Sequence, residues 1–268
     1  MATDFLKIIV EDKKREIAAA KKQLPEKQLI EKTLTPRKKR PFLKTLESPG
    51  PSGINIIAEI KRASPSKGII SEDLNAKKYA KAYEQGGAAA LSVLTDELHF
   101  QGSIEDLQSA RKITALPVLR KDFVISSYQL FESSVIGADA VLLIVRILSK
   151  EQLKDYLSIC SELRMDALVE INNENDLEAA SRAGARLIGI NNRNLRSFET
   201  DIETAIRLKS LLEPDQIAVA ASGIRTRKDI EKNQESGIWN FLIGESLVRS
   251  KNPRAFLEAL SSSSNFTV

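Results

Sequence analysis

Eight short apolar runs, each followed by a longer amphipathic stretch, constrain this chain more than any other feature. They are NIIAEI (55–60), AALSVL (89–94), PVLRKD (117–122), DAVLLIV (139–145), DALVEI (166–171), RLIGIN (186–191), QIAVAAS (216–222) and WNFLIG (239–244). Their starts fall roughly every 20 to 35 residues, the length of one strand, one helix and two loops. Strands that are apolar nearly throughout belong to a parallel sheet covered on both faces. The spacers read as helices. DLNAKKYAKAYEQGG carries Leu74, Tyr79, Ala82 and Tyr83 and stops at Gly86-Gly87, while NENDLEAASRAGA opens on Asn and Asp and stops at Gly184. Eight such units predict a closed (β/α)8 barrel, an α/β fold. The competitor is a doubly wound open sheet, whose first βα turn usually carries a Gly-rich fingerprint; the first turn here, KRASPSKG, has none.

The first 45 residues precede this pattern. Phe5, Ile8, Ile9, Ile17 and Leu24 recur at roughly helical spacing, and Pro25, Pro36 and Pro41 punctuate them, which predicts one or two amphipathic helices. ESPGPSG (47–53) is a turn-rich hinge into the first strand. The expected division is a helical extension over 1–48, packed on a barrel over 49–268. Residues 1–53 hold 13 Lys/Arg against 7 Asp/Glu, so the net charge of +4 originates there, mostly in PRKKRPFLK (36–44). Such a run is expected to be solvated. A nucleic-acid reading needs a basic face with aromatic partners, and none is visible.

The single cysteine, Cys160, excludes an intrachain disulfide framework, fits a reducing cytoplasm and is expected as a small core residue on a helix. With one histidine, His99, there are too few parts for a zinc cluster or for a Ser-His or Cys-His relay. No apolar run is long enough to span a bilayer, and the N-terminus lacks the apolar core of a signal peptide. A cytoplasmic protein without membrane contact is expected.

In a (β/α)8 barrel the active site lies at the C-terminal ends of the strands. Polar residues interrupt the apolar runs there. Run 1 ends with Glu59 and Lys61, which share a face with Ile57 because strand side chains alternate. Run 3 carries Lys121, with Arg120 and Asp122 pointing the other way; run 5 carries Glu170, with Asn172 two further on. Run 6 ends at Asn191, followed by Asn192-Arg193-Asn194; run 7 ends in Ser222-Gly223 and run 8 in Gly244. Singly, each is as well explained by a solvated strand end, a structural ion pair or a turn. Jointly, they place a pocket at one end of the barrel. Two lysines and two glutamates in a low-dielectric mouth suit acid–base chemistry without a metal: Lys121 can protonate a carbonyl or hydroxyl oxygen, and Glu170 can accept a proton elsewhere. Glycines just beyond runs 7 and 8 let backbone N–H groups approach an anion, and Ser222 adds a hydroxyl. A small phosphorylated molecule undergoing proton transfers is the substrate class this implies.

The blocks IIAEIKRASPSKG, ALSVLTDELHFQGS, PVLRKDFV, ADAVLLIVRILS, LVEINNENDLEAA, GARLIGINNRNLRSFETD and FLIGESLV resemble, in order, the indole-3-glycerol-phosphate synthase family, over about residues 50 to 250. The resemblance implies a carboxy-lyase of tryptophan biosynthesis. It would close 1-(2-carboxyphenylamino)-1-deoxyribulose 5-phosphate to indole-3-glycerol phosphate, carbon dioxide and water. It further implies Lys121 as general acid, Glu170 as acid–base partner in the dehydration, Lys61 holding substrate anionic groups and Glu59 orienting the lysines. Ser64 would belong to a mobile first loop, and Phe100 would pack on the anthranilate ring. Asn191 and Arg193 match site residues after the sixth strand, with Asn191 counted among the catalytic set, and Ser222, Gly223 and Gly244 match the phosphate cradle. No cofactor or metal is implied, and a monomer able to associate with other tryptophan-pathway enzymes is.

One position departs from the family pattern. ASGI stands where ESGI is usual, so Ala221 replaces an expected glutamate. Two other readings remain open on the residues: a different phosphosugar-handling barrel, and a barrel that binds its ligand without turnover.

Overall fold

The computed structural model describes residues 5–65, 67–194 and 199–262. Ser66 of KRASPSKG, residues 195–198 at the end of INNRNLRSF, and the tail beyond 262 lie outside the described residues. Eight parallel strands close into a barrel. They are β1 (Asn55–Ile60), β2 (Ala90–Leu94), β3 (Val118–Lys121), β4 (Ala140–Ile144), β5 (Asp166–Ile171), β6 (Leu187–Asn191), β7 (Ile217–Ala221) and β8 (Asn240–Ile243). Each pairs with its sequence neighbours, and β1 closes the ring by pairing Asn55 with Asn240 on one side and Ile57 with Ala90 on the other. All eight expected runs are the barrel strands.

Alternation sorts the strand residues into two cores. Ile57, Ala90, Leu119, Leu142, Leu168, Leu187, Val219 and Leu242 fill the barrel interior. Ile56, Leu91, Val93, Val141, Val169, Ile188 and Phe241 face outward and pack under the helices. The helices start where short polar side chains can accept a backbone N–H: Asn75, Ser103, Ser149, Asn173 and Thr226 each cap one. Such a cap contributes about 1 kcal/mol. Cys160 is buried on the helix Lys150–Glu162.

The N-terminal segment forms three helices, α1 (Phe5–Gln23), α2 (Glu26–Thr33) and α3 (Phe42–Leu46), rather than one or two. One of the apolar positions that suggested a helix lands differently from expectation: Ile8 is exposed, and the buried face of α1 joins Ile9 and Ile17 to Leu6 and Lys13. The third helix is a plug: Phe42 and Leu46 are fully buried and join the interior core at the N-terminal mouth. There Asn240 Nδ2 donates to the carbonyls of Leu46 (3.1 Å) and Ala218 (3.0 Å), and Asn55 Nδ2 donates to Asn240 Oδ1 (2.8 Å).

The basic run 36–44 leads into this plug and is only partly solvated. Arg40 donates its backbone N–H to Asp139 Oδ1 (3.0 Å) and its guanidinium to the carbonyls of Leu116 and Arg111. Arg37 donates to the Ala138 carbonyl, and Leu43 N donates to Asp166 Oδ2 (2.8 Å). The physical reason is the alternation of the strands, which leaves Asp139 and Asp166 at the lower ends of β4 and β5 in need of cations and N–H donors. Among the described residues, no helix is long and apolar enough to cross a membrane.

Candidate active site

A cavity of about 370 Å³ opens at the C-terminal ends of the strands. Glu59, Lys61, Ser64, Phe100, Lys121 and Glu170 line it, as do Asn191, Arg193, Ser222, Gly223 and Gly244. All eleven positions singled out by sequence are therefore brought together, although they come from residues 59 to 244. Register accounts for the convergence. Lys121 pairs with Leu94, Glu170 with Ile144, and Asn191 with Ala221, so inward side chains at the last strand positions share one layer.

Two acid–base pairs face one another in this layer. Lys61 Nζ donates to Glu59 Oε1 at 2.6 Å, and Lys121 Nζ lies 3.8 Å from Glu170 Oε2. Both carboxylates are buried, Glu59 at 4% and Glu170 at 6% exposure. Burial pushes the Glu59 carboxyl up, but Lys61, Lys121 and Arg193 outweigh it and hold the group below the ordinary glutamate value. Glu59 is thus an anion serving two lysines. On the other side, Asn191 Nδ2 donates to Glu170 Oε1 at 3.2 Å, and its Oδ1 accepts the Arg193 N–H at 3.0 Å. Asn172 lies just behind, donating from Nδ2 to the carbonyls of Asn191 (2.6 Å) and Arg193 (3.3 Å), which fixes the turn after β6.

The turns after β7 and β8 are shaped by what passes near them. Ser222 has φ +70°, left-handed for a non-glycine residue, and Asn192 Nδ2 holds it there by donating to its carbonyl at 3.0 Å. Gly223 follows at φ +81°, and a Cβ there would sit 2.6 Å from Thr200. A Cβ on Gly244 would sit 2.4 Å from Glu59 Oε1, so only glycine lets the end of β8 pass the buried carboxylate. Ala221 also lines the cavity and presents a methyl group where its β6 neighbour presents Asn191.

The first loop is a small hairpin, Ala63–Ser64 against Gly68–Ile69. Arg62 anchors it to neighbouring loops, donating to Asp106, to the Gln101 carbonyl (3.1 Å) and to the Leu74 carbonyl (3.1 Å). Opposite the β7 and β8 turns, the Phe100 and Phe123 rings stand 5.9 Å apart and form an apolar wall.

Sequence reasoning missed several lining residues. Glu245, Ser246, Arg225 and Arg249 flank the β7 and β8 turns; Glu245 lies 3.9 Å from Arg193 and accepts from Arg249 Nε at 3.2 Å. Their positions within a few residues of Gly223 and Gly244 were the available clue. Phe5, Leu6 and Ile9 of α1 also line the cavity. Local pattern carries no sign of that contact, because it joins the first helix to strand ends far along the chain.

Comparison with known proteins gives the family. The indole-3-glycerol phosphate synthase family model matches residues 6–260. The chain is 54% identical over 258 residues to the indole-3-glycerol phosphate synthase of Desulfosudis oleivorans, covering 96% of this chain and 98% of that one. It is 51% identical to the Syntrophobacter fumaroxidans protein of the same name, covering 96% and 97%. Among solved structures, 3-hexulose-6-phosphate synthase from Salmonella typhimurium is similar at TM-score 0.62 and 12% identity, covering 78% of this chain and 97% of that one, a likeness of fold alone. With a family model over nearly the whole chain and near-full-length relatives at 51% and 54% identity, the chain belongs to the indole-3-glycerol phosphate synthase family, lyases of tryptophan biosynthesis.

Proposed function

We propose that the cavity closes the indole ring of 1-(2-carboxyphenylamino)-1-deoxyribulose 5-phosphate. The substrate would lie with its phosphate against the backbone at Ser222, Gly223 and Gly244 and its aromatic ring against Phe100. Lys61 holds the substrate's anionic groups, and Glu59 orients both lysines. Lys121 donates a proton to the ketone oxygen, and the ring carbon bearing the carboxylate attacks the ketone carbon. Loss of carbon dioxide restores aromaticity. Glu170, held by Asn191, then protonates the departing hydroxyl; the ring nitrogen's lone pair helps expel water, and the Glu170 carboxylate so formed takes a proton from the adjacent ring CH2, which completes the indole and restores Glu170 to its acid form. Arg193 and Ser64 close over the substrate from the sixth and first loops. The observation that carries the reading is the 3.8 Å approach of Lys121 to Glu170 in a cavity that also holds the Lys61–Glu59 pair. A lysine able to give a proton and a carboxylate able to move one are the two groups this sequence of steps requires.

Ala221 bears on the rate. A carboxylate there would add a further acceptor beside Asn191, and removing one such site group typically costs about ten- to a thousandfold in rate. The chain is expected to turn over with reduced speed, since Lys121 and Glu170 are both present. Steady-state assay by indole fluorescence tests both statements. Product is expected from the natural sequence, and Ala221→Glu is expected to be faster by about tenfold or more. No product at any substrate concentration would end the reading; equal rates for the two chains would remove the role given to position 221.

A further inference from the structure

We propose that Lys13 of α1 is a positioning residue of this active site, holding the aromatic end of the cavity in shape by pairing with Asp96 and Asp122 at once. The inference rests on the function proposed above. Lys13 is 1% exposed, and its Nζ lies 3.0 Å from Asp96 Oδ2 and 3.0 Å from Asp122 Oδ1; Glu16, at the surface one turn on, is 2.8 Å away. Burying an ammonium carries a large desolvation cost, and a plain helix-to-barrel contact would be served as well by an apolar side chain. Burial lowers the proton affinity of Lys13, yet Asp122, Asp96 and Glu16 together raise it, so the group is a cation in place.

The two carboxylates explain what the cation does. Asp96 is 1% exposed and accepts the N–H groups of His99 (2.8 Å) and Phe100 (3.2 Å), capping the short helix Glu97–Phe100 that brings Phe100 to the cavity. Asp122 follows Lys121 directly and accepts the Phe123 N–H at 2.8 Å. Each carboxylate therefore sets the backbone of one of the two aromatic rings that face each other at 5.9 Å. Asp122 has a second cation, Arg120, at 3.1 Å, but Arg120 also serves Glu132 at 2.7 Å. Without Lys13, two buried like charges would stand side by side and push the segments carrying Phe100 and Phe123 apart. The same lysine fixes α1, whose Phe5, Leu6 and Ile9 complete that end of the cavity. The turns after β7 and β8, at the phosphate end, have no part in this pairing.

The expected signature is a loss confined to the aromatic end. Lys13→Met is expected to weaken binding of anthranilate, read by its own fluorescence, and to raise KM for the carboxyphenylamino substrate, each by about tenfold or more, as small misplacements in a site do. The inhibition constant of inorganic phosphate is expected to stay within about twofold of the natural value. Lys13→Arg is expected to restore most of the loss, because a cation again stands between the carboxylates. Lys14→Met serves as the control, since Lys14 is exposed and pairs with Glu11 on its own helix, away from the cavity. Should Lys13→Met fail to fold, Lys13→Met/Asp96→Asn removes one charge of each sign and keeps a capping side chain; it is expected to fold and, because no cation then ties the Phe100 helix to Asp122 and α1, to show the same split in smaller measure. Unchanged anthranilate and substrate constants in either folded variant would overturn the proposal, as would equal weakening of phosphate and anthranilate. A natural chain that neither turns over the substrate nor takes up anthranilate overturns the function itself, which separates the two failures.

Discussion

The two mouths of this barrel are built on the same eight strands and use buried charge in opposite ways. At the N-terminal mouth, α3 plugs the opening with Phe42 and Leu46, and the carboxylate of Asp139 is wholly taken up by Arg111, the Arg40 N–H and the Val118 N–H. Burial dominates the cations there: it pulls Lys39 down to about 8, beside Arg37 and Arg111, and Arg37 down to about 10. At the C-terminal mouth, Glu59 is more deeply buried than these cations, yet the neighbouring lysines and Arg193 prevail and keep it an anion. The plug end spends its polar groups on the chain itself. The open end leaves Lys61, Lys121 and Glu170 facing a cavity. A charge whose partners are all backbone and neighbouring loops is structural, whereas a charge pair that lines an open space is available to a ligand.

Substitutions at the two ends should therefore separate catalysis from stability. The largest effect is expected for Lys121→Ala, a loss of about a thousandfold or more in turnover with the melting temperature and phosphate inhibition nearly unchanged. Substantial residual activity would move the general acid elsewhere and blur the contrast. Next, Asp139→Asn leaves Arg111 and Arg37 without their counterion and is expected to lower stability by about 3 kcal/mol, read from urea denaturation, with turnover per folded molecule unchanged. A matching loss of activity would mean the plug end shapes the site. The smallest effect is an acid limb. Asp122 is held down to about 2 because Arg120, Lys13 and Thr95 outweigh the burial that raises it. A depressed carboxyl stabilises the fold above its unfolded value, near 3.8, and that contribution fades as pH falls toward 2. The loss is expected to be on the order of 2 kcal/mol. Denaturant midpoints of the natural chain and Asp122→Asn between pH 5 and pH 2 measure it; parallel curves would refute it.

The barrel was legible because apolar runs and Gly-terminated spacers repeat eight times, and each repeat is a local pattern. The strand-end residues were legible by the same logic, since Glu59, Lys121, Glu170 and Asn191 interrupt otherwise apolar strands. What stayed hidden depends on pairing across the fold. Lys13 reads as one more surface lysine in a basic helix until Asp96 and Asp122 meet it. Arg37 and Arg40 read as solvated until the lower end of β4 supplies Asp139. Ile8 fits the helical period but falls just off the buried stripe, because the face α1 turns inward is set by the cavity it lines.

Only the open mouth is expected to bind the phosphorylated molecule, with its phosphate at the β7 and β8 turns. A crystal structure of the chain with indole-3-glycerol phosphate tests it most directly. The phosphorus is expected beside Ser222, Gly223 and Gly244, the indole ring against Phe100, and Lys121 and Glu170 within reach of the ring junction. Ligand density elsewhere, or in this cavity with the phosphate at the Phe100–Phe123 wall, would contradict it.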